Sequence, residues 1–506
     1  MSDVSNKIAT GASWNTLTVV IQVGVQLVYT ALLARLIAPE SFALMGVTLG
    51  LVGFAEIFSQ VGIGPALIQR KEINAGHINA AFVTSGLLGL GFTALFFSAA
   101  PFIADFYQMP LLTDVVRVVS LAFVISALAI VPRSMMIKAL DFKSFFKASM
   151  VSIIGGNLVV GLLLAWLGYD VWAYVFALFA QNVLMTLGFW LWRPVRVGLR
   201  FDGSSLRQLL RYGAGSTLFN ALNYFATKLD VLMVPKLLAG RYTMPEMERL
   251  SAMYERSAYV MSLPITVLGK LSDNVMFSGL AAMQEDRALV KRTYFAANAL
   301  IGMLILPMAV FVVFFAEDLI RVYLGPHFTD AADALRILFV GVAFRALVKT
   351  DDALLRASDK LVAGSAIKGT FLLVVFGLGL WWADMGITGM AWAMSAAAIF
   401  QFVLMKFMAA RPIGFSSSEL WSGLRPAVFS GGLTAVLCAP VFFFFPVENP
   451  GLVRLALAGI LVAGGFLMAL RYARFLFRSD TTDFVQTMAA RLPNRSLFLW
   501  VKKWLA

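Results

Sequence analysis

The sequence has few of the residues that build catalytic and metal centres. It contains one cysteine, Cys438, and two histidines, His77 and His327, both in segments predicted as loops. A lone cysteine excludes an intramolecular disulfide and a thiolate metal site, and neither histidine has a metal-ligand neighbour at a useful spacing. P-loop, GxGxxG and GxSxG motifs are also absent, which argues against ATP hydrolysis. We therefore predict no catalytic residues and no metal site.

Charged residues are scarce as well. They make up 14% of the chain, against roughly 25% in a soluble globular protein, whereas 60% of the residues are hydrophobic and the mean hydropathy is +0.82. A soluble core of this size cannot hide so much apolar surface, so lipid must be the solvent for much of the chain. The net charge of +13 is explained by basic cytoplasmic loops, and we predict no nucleic-acid partner.

Long apolar runs account for most of the sequence. A helix that spans the bilayer needs roughly 20 mostly apolar residues. This rule predicts an all-α polytopic membrane protein with about 14 transmembrane helices, near residues 11–34, 42–68, 78–103, 112–132, 145–167, 171–192, 211–236, 251–282, 291–315, 332–356, 361–382, 386–408, 424–445 and 452–475. The spans at 211–236 and 251–282 have the least support, because both carry ionisable residues.

The loop charges predict the orientation. With the N-terminus inside, basic residues collect in the loops that the positive-inside rule assigns to the cytoplasm. These are Arg70, Lys71, Arg133, Lys138, Lys143, Lys147, Arg193, Arg196, Arg200, Arg207, Arg211, Arg287, Lys291, Arg292, Arg356, Lys360, Lys406, Arg411 and Arg425. The exceptions on the outer side are Arg35, Lys236, Arg241, Arg249, Arg321 and Arg454. The asymmetry predicts two cytoplasmic termini and an even number of spans.

An internal repeat divides the chain. Lys138-Ala139-Leu140-Asp141 closes span four, and Arg356-Ala357-Ser358-Asp359 closes span ten, 218 positions later. The same shift aligns Gly168 with Gly386, Ala173 with Ala391, and Arg193-Pro194 with Arg411-Pro412; a shift of 201 aligns Arg35-Leu36-Ile37-Ala38 with Lys236-Leu237-Leu238-Ala239. We predict an N-lobe of spans 1–6 (1–200), a C-lobe of spans 7–12 (201–415) and two further spans (416–478). Parallel halves of this kind typically rock against each other around a central cavity.

The last segment, 479–506, is amphipathic, with apolar residues at helical spacing and tryptophans beside lysines. It predicts a cytoplasmic helix on the inner membrane surface, with a partner-binding tail as the alternative.

Several ionisable residues fall at membrane depth, where a charge is costly and usually faces a wet cavity or a partner. Lys228 lies roughly 12 Å inward from Lys236, too deep to reach the surface easily. We predict a cationic cavity for an anionic substrate, with carboxylates able to bind a coupling cation. The candidate cations are Lys228, Arg345, Lys270, Arg35, Lys236 and Arg117, and the candidate ion-coupling carboxylates are Asp230, Glu56 and Asp273.

Simpler roles exist for some of these residues. Lys270 and Asp273 are i,i+3 neighbours and can merely neutralise each other. Glu56 is either an ion site or a hydrogen-bond partner of a neighbouring helix. Snorkelling from an outer helix end is an equal alternative for Arg35, Arg117 and Lys236.

The segment ARLIAPESFALMGVTLGLVGFAEIFSQVGIGPALIQR (34–70) resembles the N-terminal signature of Wzx-like bacterial polysaccharide flippases. These belong to the multidrug/oligosaccharidyl-lipid/polysaccharide exporter superfamily. The resemblance extends over residues 8–415, and Asp230 matches the family's acidic position in span seven. Softer matches are IKALDFKSFFKAS (137–149), LGYDVWAYV (167–175), LLRYGAGSTLFNALNYFATKLDVLMV (209–234), YLGPHF (323–328) and GITGMAWA (386–393).

The resemblance implies two six-helix lobes in a V around a central cavity. It implies that an undecaprenyl-diphosphate-linked oligosaccharide is flipped across the bacterial inner membrane by ion-coupled alternating access, for exopolysaccharide, capsule or O-antigen assembly. It further implies a proton or sodium ion as the coupling cation, and membrane lipids, a polysaccharide polymerase and glycosyltransferases as partners. A diphosphate needs basic partners, which agrees with the cationic cavity.

Two alternatives remain open. One is a lipid II flippase or drug/cation antiporter of the same superfamily, and the other is a membrane glycan polymerase or ligase. Such an enzyme needs a large polar periplasmic loop, whereas no predicted outer loop much exceeds about 15 residues. We therefore predict a transporter that is not an enzyme.

Overall fold

A computed structural model describes residues 2–60, 62–70, 72–199, 202–271, 286–358, 361–445 and 451–476. The predicted surface helix at 479–506 and Asp273 lie outside these residues. The described residues are helical almost throughout, and their β-structure amounts to one isolated bridge between Ala239 and Tyr242. The predicted all-helical fold class is confirmed.

The helices of the described residues follow in chain order. The first half contains α1 (Ser2–Leu36), α2 (Pro39–Gln60), α3 (Ile63–Gln69), α4 (Ala75–Tyr107), α5 (Leu112–Ser120), α6 (Ala122–Lys138), α7 (Phe142–Ile153), a π-helix (Ile154–Gly161), α8 (Leu162–Trp166), α9 (Val171–Trp192) and α10 (Gly203–Leu238). The second half contains α11 (Met244–Leu271), α12 (Arg287–Tyr323), α13 (Ala331–Ala357), α14 (Leu361–Trp381), α15 (Gly386–Ile413), α16 (Ser417–Phe444) and α17 (Gly451–Leu476).

Eleven helical segments among the described residues are long and apolar enough to cross a membrane. Three predicted spans, 211–236, 251–282 and 332–356, fall on α10, α11 and α13, which are not among the eleven. These helices have 36, 28 and 27 residues, so each is about 40 Å long or more and has the length to cross. They differ from the eleven apolar segments in the charged residues that they carry. The count of 14 spans therefore stays a prediction.

The chain divides into two compact units, Met1–Ala252 and Met253–Ala506. In the first, α10 packs against α2, α3 and α4, and α9 packs against α6, α7 and the π-helix. In the second, α12 packs against α13 and α16, α13 packs against α15, and α17 packs against α12 and α16. The lobe boundaries predicted at residues 200 and 415 stay predictions; α10 makes its contacts in the first unit.

Paired positions of the predicted repeat have matching local structure. Gly168 and Gly386 both adopt a left-handed backbone, with φ of 83° and 63°, just before or at the start of a long helix. Ala173 and Ala391, the next aligned pair, are both 0% exposed. A positive φ favours glycine, and a fully enclosed position favours a small side chain. These two requirements explain why the same residues recur in both halves.

Asp170 explains part of the LGYDVWAYV motif. Its Oδ1 accepts hydrogen bonds of 2.9 Å from the Ala38 N–H and from the Ser41 hydroxyl. Both donors belong to the segment that begins α2, so the turn before α9 holds the start of α2 in place. Two of the matched segments, 34–70 and 167–175, are therefore in direct contact.

Some exceptions to the positive-inside rule are neutralised locally. Arg454 pairs with Asp318 at 3.3 Å, and both side chains are buried. Arg321 pairs with Glu317 at 3.3 Å on α12. Each of these two outer-side cations therefore has a carboxylate partner close by.

Lys406 corrects one sequence prediction. It was placed in an inner loop, whereas it lies inside α15, seven residues before the helix ends, and its side chain is 5% exposed. Lys406 falls within the predicted span 386–408, and counting it among the inner-loop charges was wrong because it is buried in the helix beside the carboxylate of Asp351.

Candidate functional site

Helices α2 and α10 pack closely over a glycine-containing face of α2. A Cβ atom on Gly50 would come within 2.7 Å of Leu232 Cδ2, and one on Gly53 within 2.3 Å of Tyr224 Oη. The Tyr224 hydroxyl donates a hydrogen bond of 2.8 Å to the carbonyl oxygen of Leu49. Residue numbers rise on α2 as they fall on α10, so the two helices run antiparallel.

Lys228 lies between these two contacts. Tyr224, Lys228 and Leu232 are four residues apart and share one face of α10. Because the first and last of them touch α2, the half-buried Lys228 is on the α2 side of α10. Lys228, the predicted deep cation, therefore lies on the side of α10 that contacts α2, and not on a face remote from other helices.

Two predicted carboxylates belong to the same helix pair. Glu56 follows Gly53 by three residues, so it lies on the same side of α2, and it is half-buried. Asp230 is 0% exposed and points away from Lys228, since residues two apart on a helix do not face each other. The structure thus brings Glu56, Lys228 and Asp230 onto α2 and α10, while their roles stay predictions.

The close approach at Gly53 yields a stability prediction. Gly53→Ala places a methyl group against Tyr224 and should destabilise the protein by about 1–3 kcal/mol, as overpacking typically does. Tyr224→Phe should relieve part of this loss, because the ring carbon Cζ, at 2.9 Å, remains too close. Unfolding in detergent micelles measures each variant.

The matched control is Gly91→Ala on α4, where a Cβ would meet nothing within 4 Å. It should leave stability unchanged or raise it slightly, since alanine favours helices. Equal losses at Gly53 and Gly91 would contradict the close packing of α2 on α10.

The outer cations of the first unit contact α4 or remain exposed. The Lys236 ammonium donates to the Phe106 carbonyl oxygen at 3.0 Å and lies 4.4 Å from the centre of that ring. The Arg117 guanidinium lies 5.0 Å from the Phe97 ring centre. Arg35, in the last turn of α1, is exposed. These contacts suit side chains that reach toward an outer interface.

The remaining predicted residues belong to the second unit. Arg345, on α13, is half-buried, with Nη1 3.7 Å from the Met261 sulfur on α11. Lys270 lies in the last turn of α11, whose described part ends at Leu271. Arg345 is therefore placed beside α11 within its own unit.

Sequence reasoning missed a buried polar group in the second unit, which we call the Lys406 cluster. It joins α12, α13 and α15 and consists of Lys406, Asp351, Tyr294, Asn298 and Thr350. The ammonium of Lys406 donates to Asp351 Oδ1 at 3.0 Å, to Tyr294 Oη at 3.0 Å and to Asn298 Oδ1 at 2.7 Å. All three ammonium protons therefore have an acceptor.

A second buried pair adjoins this cluster. Asp352 lies next to Asp351 and pairs with Lys368 of α14 at 3.2 Å, and both side chains are almost fully enclosed. Two consecutive aspartates thus hold lysines from two different helices. The sequence shows an unusually charged end of span ten, Lys349 to Asp352. It does not show which lysines pair with the two aspartates, because these lysines are distant in the sequence.

The half-buried Lys228 and the fully buried Lys406 cluster suit different chemistry. A half-buried ammonium such as Lys228 can bind an oxyanion strongly, because water competes less there than at an open surface. A fully enclosed lysine and carboxylate can hold or exchange a proton, or can fix helices together. No group of three or more potential metal ligands occurs among the residues that the structure describes.

The comparisons with known proteins decide the family. A family model described as polysaccharide biosynthesis protein matches residues 32–333. The chain belongs to this family. It is 24% identical over 365 residues to the lipopolysaccharide biosynthesis protein WzxC of Escherichia coli (strain K12), covering 70% of this chain and 71% of that protein. This membership confirms the resemblance seen in the sequence.

Two further relatives are named for the biosynthesis of other polymers. The teichuronic acid biosynthesis protein TuaB of Bacillus subtilis (strain 168) is 21% identical over 434 residues, or 84% of this chain and 86% of that protein. The succinoglycan biosynthesis transport protein ExoT of Rhizobium meliloti (strain 1021) is 23% identical over 331 residues, or 64% of each chain.

Solved structures show the same fold. The lipid II flippase MurJ in an inward closed conformation has a TM-score of 0.70 at 13% identity, over 92% of this chain and 98% of that one. An inward-facing multidrug resistance MATE transporter has a TM-score of 0.60 at 16% identity, over 78% and 96%. The polysaccharide biosynthesis protein described here therefore has the fold of multi-pass membrane transporters.

Proposed function

We propose that this protein flips a lipid-linked oligosaccharide from the cytoplasmic to the periplasmic leaflet of a bacterial inner membrane. The substrate is an undecaprenyl-diphosphate-linked repeat unit that is later assembled into an exopolysaccharide, capsule or O-antigen. The observation that carries the proposal is a half-buried lysine, Lys228, on a transporter fold of the polysaccharide biosynthesis family.

The chemistry of the substrate supports this role for Lys228. The diphosphate is strongly charged whatever sugars are attached to it, and moving it into a membrane has a large desolvation cost. A cation already placed at membrane depth offsets much of this cost by charge-assisted hydrogen bonding. Arg345 is the corresponding half-buried cation of the second unit, and we assign it the same kind of role.

The direction of transport requires an energy source. We propose an ion gradient, because the chain has no nucleotide-binding motif and carries carboxylates at membrane depth. Glu56 and Asp230 are the described candidates for this coupling in the first unit. The positive-inside asymmetry supports cytoplasmic termini, and a polymerase and glycosyltransferases are the proposed partners on the two sides of the transport step.

Deletion of the gene in its native host tests the proposal. We expect loss of the exported polymer and accumulation of undecaprenyl-diphosphate oligosaccharide on the cytoplasmic leaflet, measured by lipid extraction and by its protection from an impermeant periplasmic glycosidase. Restoration by a plasmid copy is the control. Accumulation of lipid II instead would favour a lipid II flippase, and no accumulation of any lipid-linked glycan would contradict the proposed function.

A further inference from the structure

The Lys406 cluster contains one polar atom without a partner. Asp351 is fully buried, and its Oδ1 accepts hydrogen bonds from Lys406 and from the Tyr294 hydroxyl at 2.5 Å. Its other oxygen, Oδ2, is buried and has no hydrogen-bond partner among the described residues. An ionised carboxylate oxygen without a donor is unfavourable in such a site. The carboxylate therefore has a place for one more proton.

The depth of the cluster is consistent across three helices. Asp351 lies six residues before the end of α13, Lys406 seven before the end of α15, and Tyr294 seven after the start of α12. At 1.5 Å per residue, each lies about 10 Å inside the helix end, and the loop charges assign all three ends to the cytoplasmic side. The cluster thus forms a layer a short distance inside the membrane from the cytoplasm.

The other charges near Asp351 have partners. Asp352 is paired with Lys368, and on the adjoining part of α12, Lys291 is paired with Glu419 at 2.6 Å. The Arg356 guanidinium donates to the Asp352 carbonyl oxygen at 3.3 Å, and Arg292 and Lys349 also have interactions of their own. The lone acceptor Oδ2 distinguishes Asp351 from these neighbours.

We propose that Asp351 binds a coupling proton in the second unit, at Oδ2, and that Lys406 is the positioning residue whose ion pair with Asp351 depends on this proton. This inference rests on the proposed function as an ion-coupled flippase, and it names the ion. A proton from cytoplasmic water forms an O–H bond at Oδ2, and no other covalent bond changes. The cluster passes from zero net charge to one positive charge.

Protonation changes the net charge of the Lys406 cluster, and this change favours a different conformation of the helices. Protonated Asp351 no longer neutralises the Lys406 ammonium, and an unneutralised cation is costly in a buried site. The loaded cluster therefore favours a conformation in which Lys406 reaches water, which requires α15 to move against α12 and α13. Loss of the proton restores the ion pair and the packed arrangement.

Infrared difference spectroscopy of the purified full-length protein in lipid nanodiscs tests the proton site. On acidification, we expect carbonyl-stretch bands of protonated, buried carboxylic acids in wild-type protein, and we expect the band that Asp351 contributes to be missing from Asp351→Asn. Asp318→Asn is the matched control, since it removes a carboxylate from another buried ion pair. It should retain the band.

Lys406→Gln provides a second variant if Asp351→Asn does not fold. Without the ammonium, Asp351 should protonate more easily, so the midpoint pH of the band should rise by at least one unit. A spectrum of Asp351→Asn that has the same bands as wild type, or a midpoint unchanged in Lys406→Gln, would overturn the proposal. Since the spectrum involves no transported lipid, a failed proton site is distinguishable from a failed flippase assignment, which only the export assay detects.

Discussion

Lys228→Ala should reduce polymer export at least tenfold while leaving the amount of protein in the membrane unchanged. The lysine is half-buried on the α2 side of α10, where its ammonium would offset the desolvation of a diphosphate. Lys228→Arg should retain much of the export, because guanidinium also binds phosphate oxygens. Export by wild-type protein, Lys228→Ala and Lys228→Arg is measured as the amount of surface polysaccharide in a deletion strain complemented with each of them.

The matched control is Arg336→Ala. Arg336 is another cation on a long charged helix, but it lies near the start of α13 and is paired at 2.7 Å with Asp333, whose side chain is 70% exposed. Its loss should leave export within about twofold of wild type, as expected for an ion pair whose carboxylate is largely exposed. Normal export from Lys228→Ala, or an equal loss from Arg336→Ala, would remove the assigned role of Lys228.

Arg454→Met should destabilise the protein by about 3–5 kcal/mol, the usual cost of removing one partner of a buried ion pair. Arg454 joins α17 to α12 through Asp318, donates to the Phe442 carbonyl oxygen at 3.0 Å, and lies about 5 Å from the Phe315 and Phe442 rings. Its loss leaves Asp318 buried without its cation. Denaturation with SDS in mixed micelles measures the change.

The double variant Arg454→Met/Asp318→Leu separates the pair from its surroundings. Replacing both charges by apolar groups should recover most of the lost stability, because the desolvation cost then disappears with the attraction. If the double variant loses as much free energy of unfolding as the two single variants added together, the ion pair is not the reason for the loss.

Short-range requirements made part of the fold predictable. Gly168 and Gly386 recur because each must adopt a positive φ, and Ala173 and Ala391 recur because each is completely enclosed. Both requirements act on a single residue and its neighbours, so a repeat in the sequence records them. Long apolar runs likewise predicted the membrane class without any knowledge of packing.

Long-range pairing made the rest unpredictable. Lys406 meets Asp351 from 55 positions away, and Arg454 meets Asp318 from far along the chain as well. A charge at the end of an apolar run looks like a loop residue unless its partner is known.

Reconstitution provides the most direct test of the flippase assignment. Purified protein is placed in vesicles that carry a fluorescent undecaprenyl-diphosphate oligosaccharide, and a membrane-impermeant quencher reports the fraction in the outer leaflet. The assignment predicts that wild-type protein moves the label between leaflets much faster than Lys228→Ala does, and that an imposed ion gradient biases its direction. Movement in wild-type vesicles no faster than in vesicles without protein would contradict it.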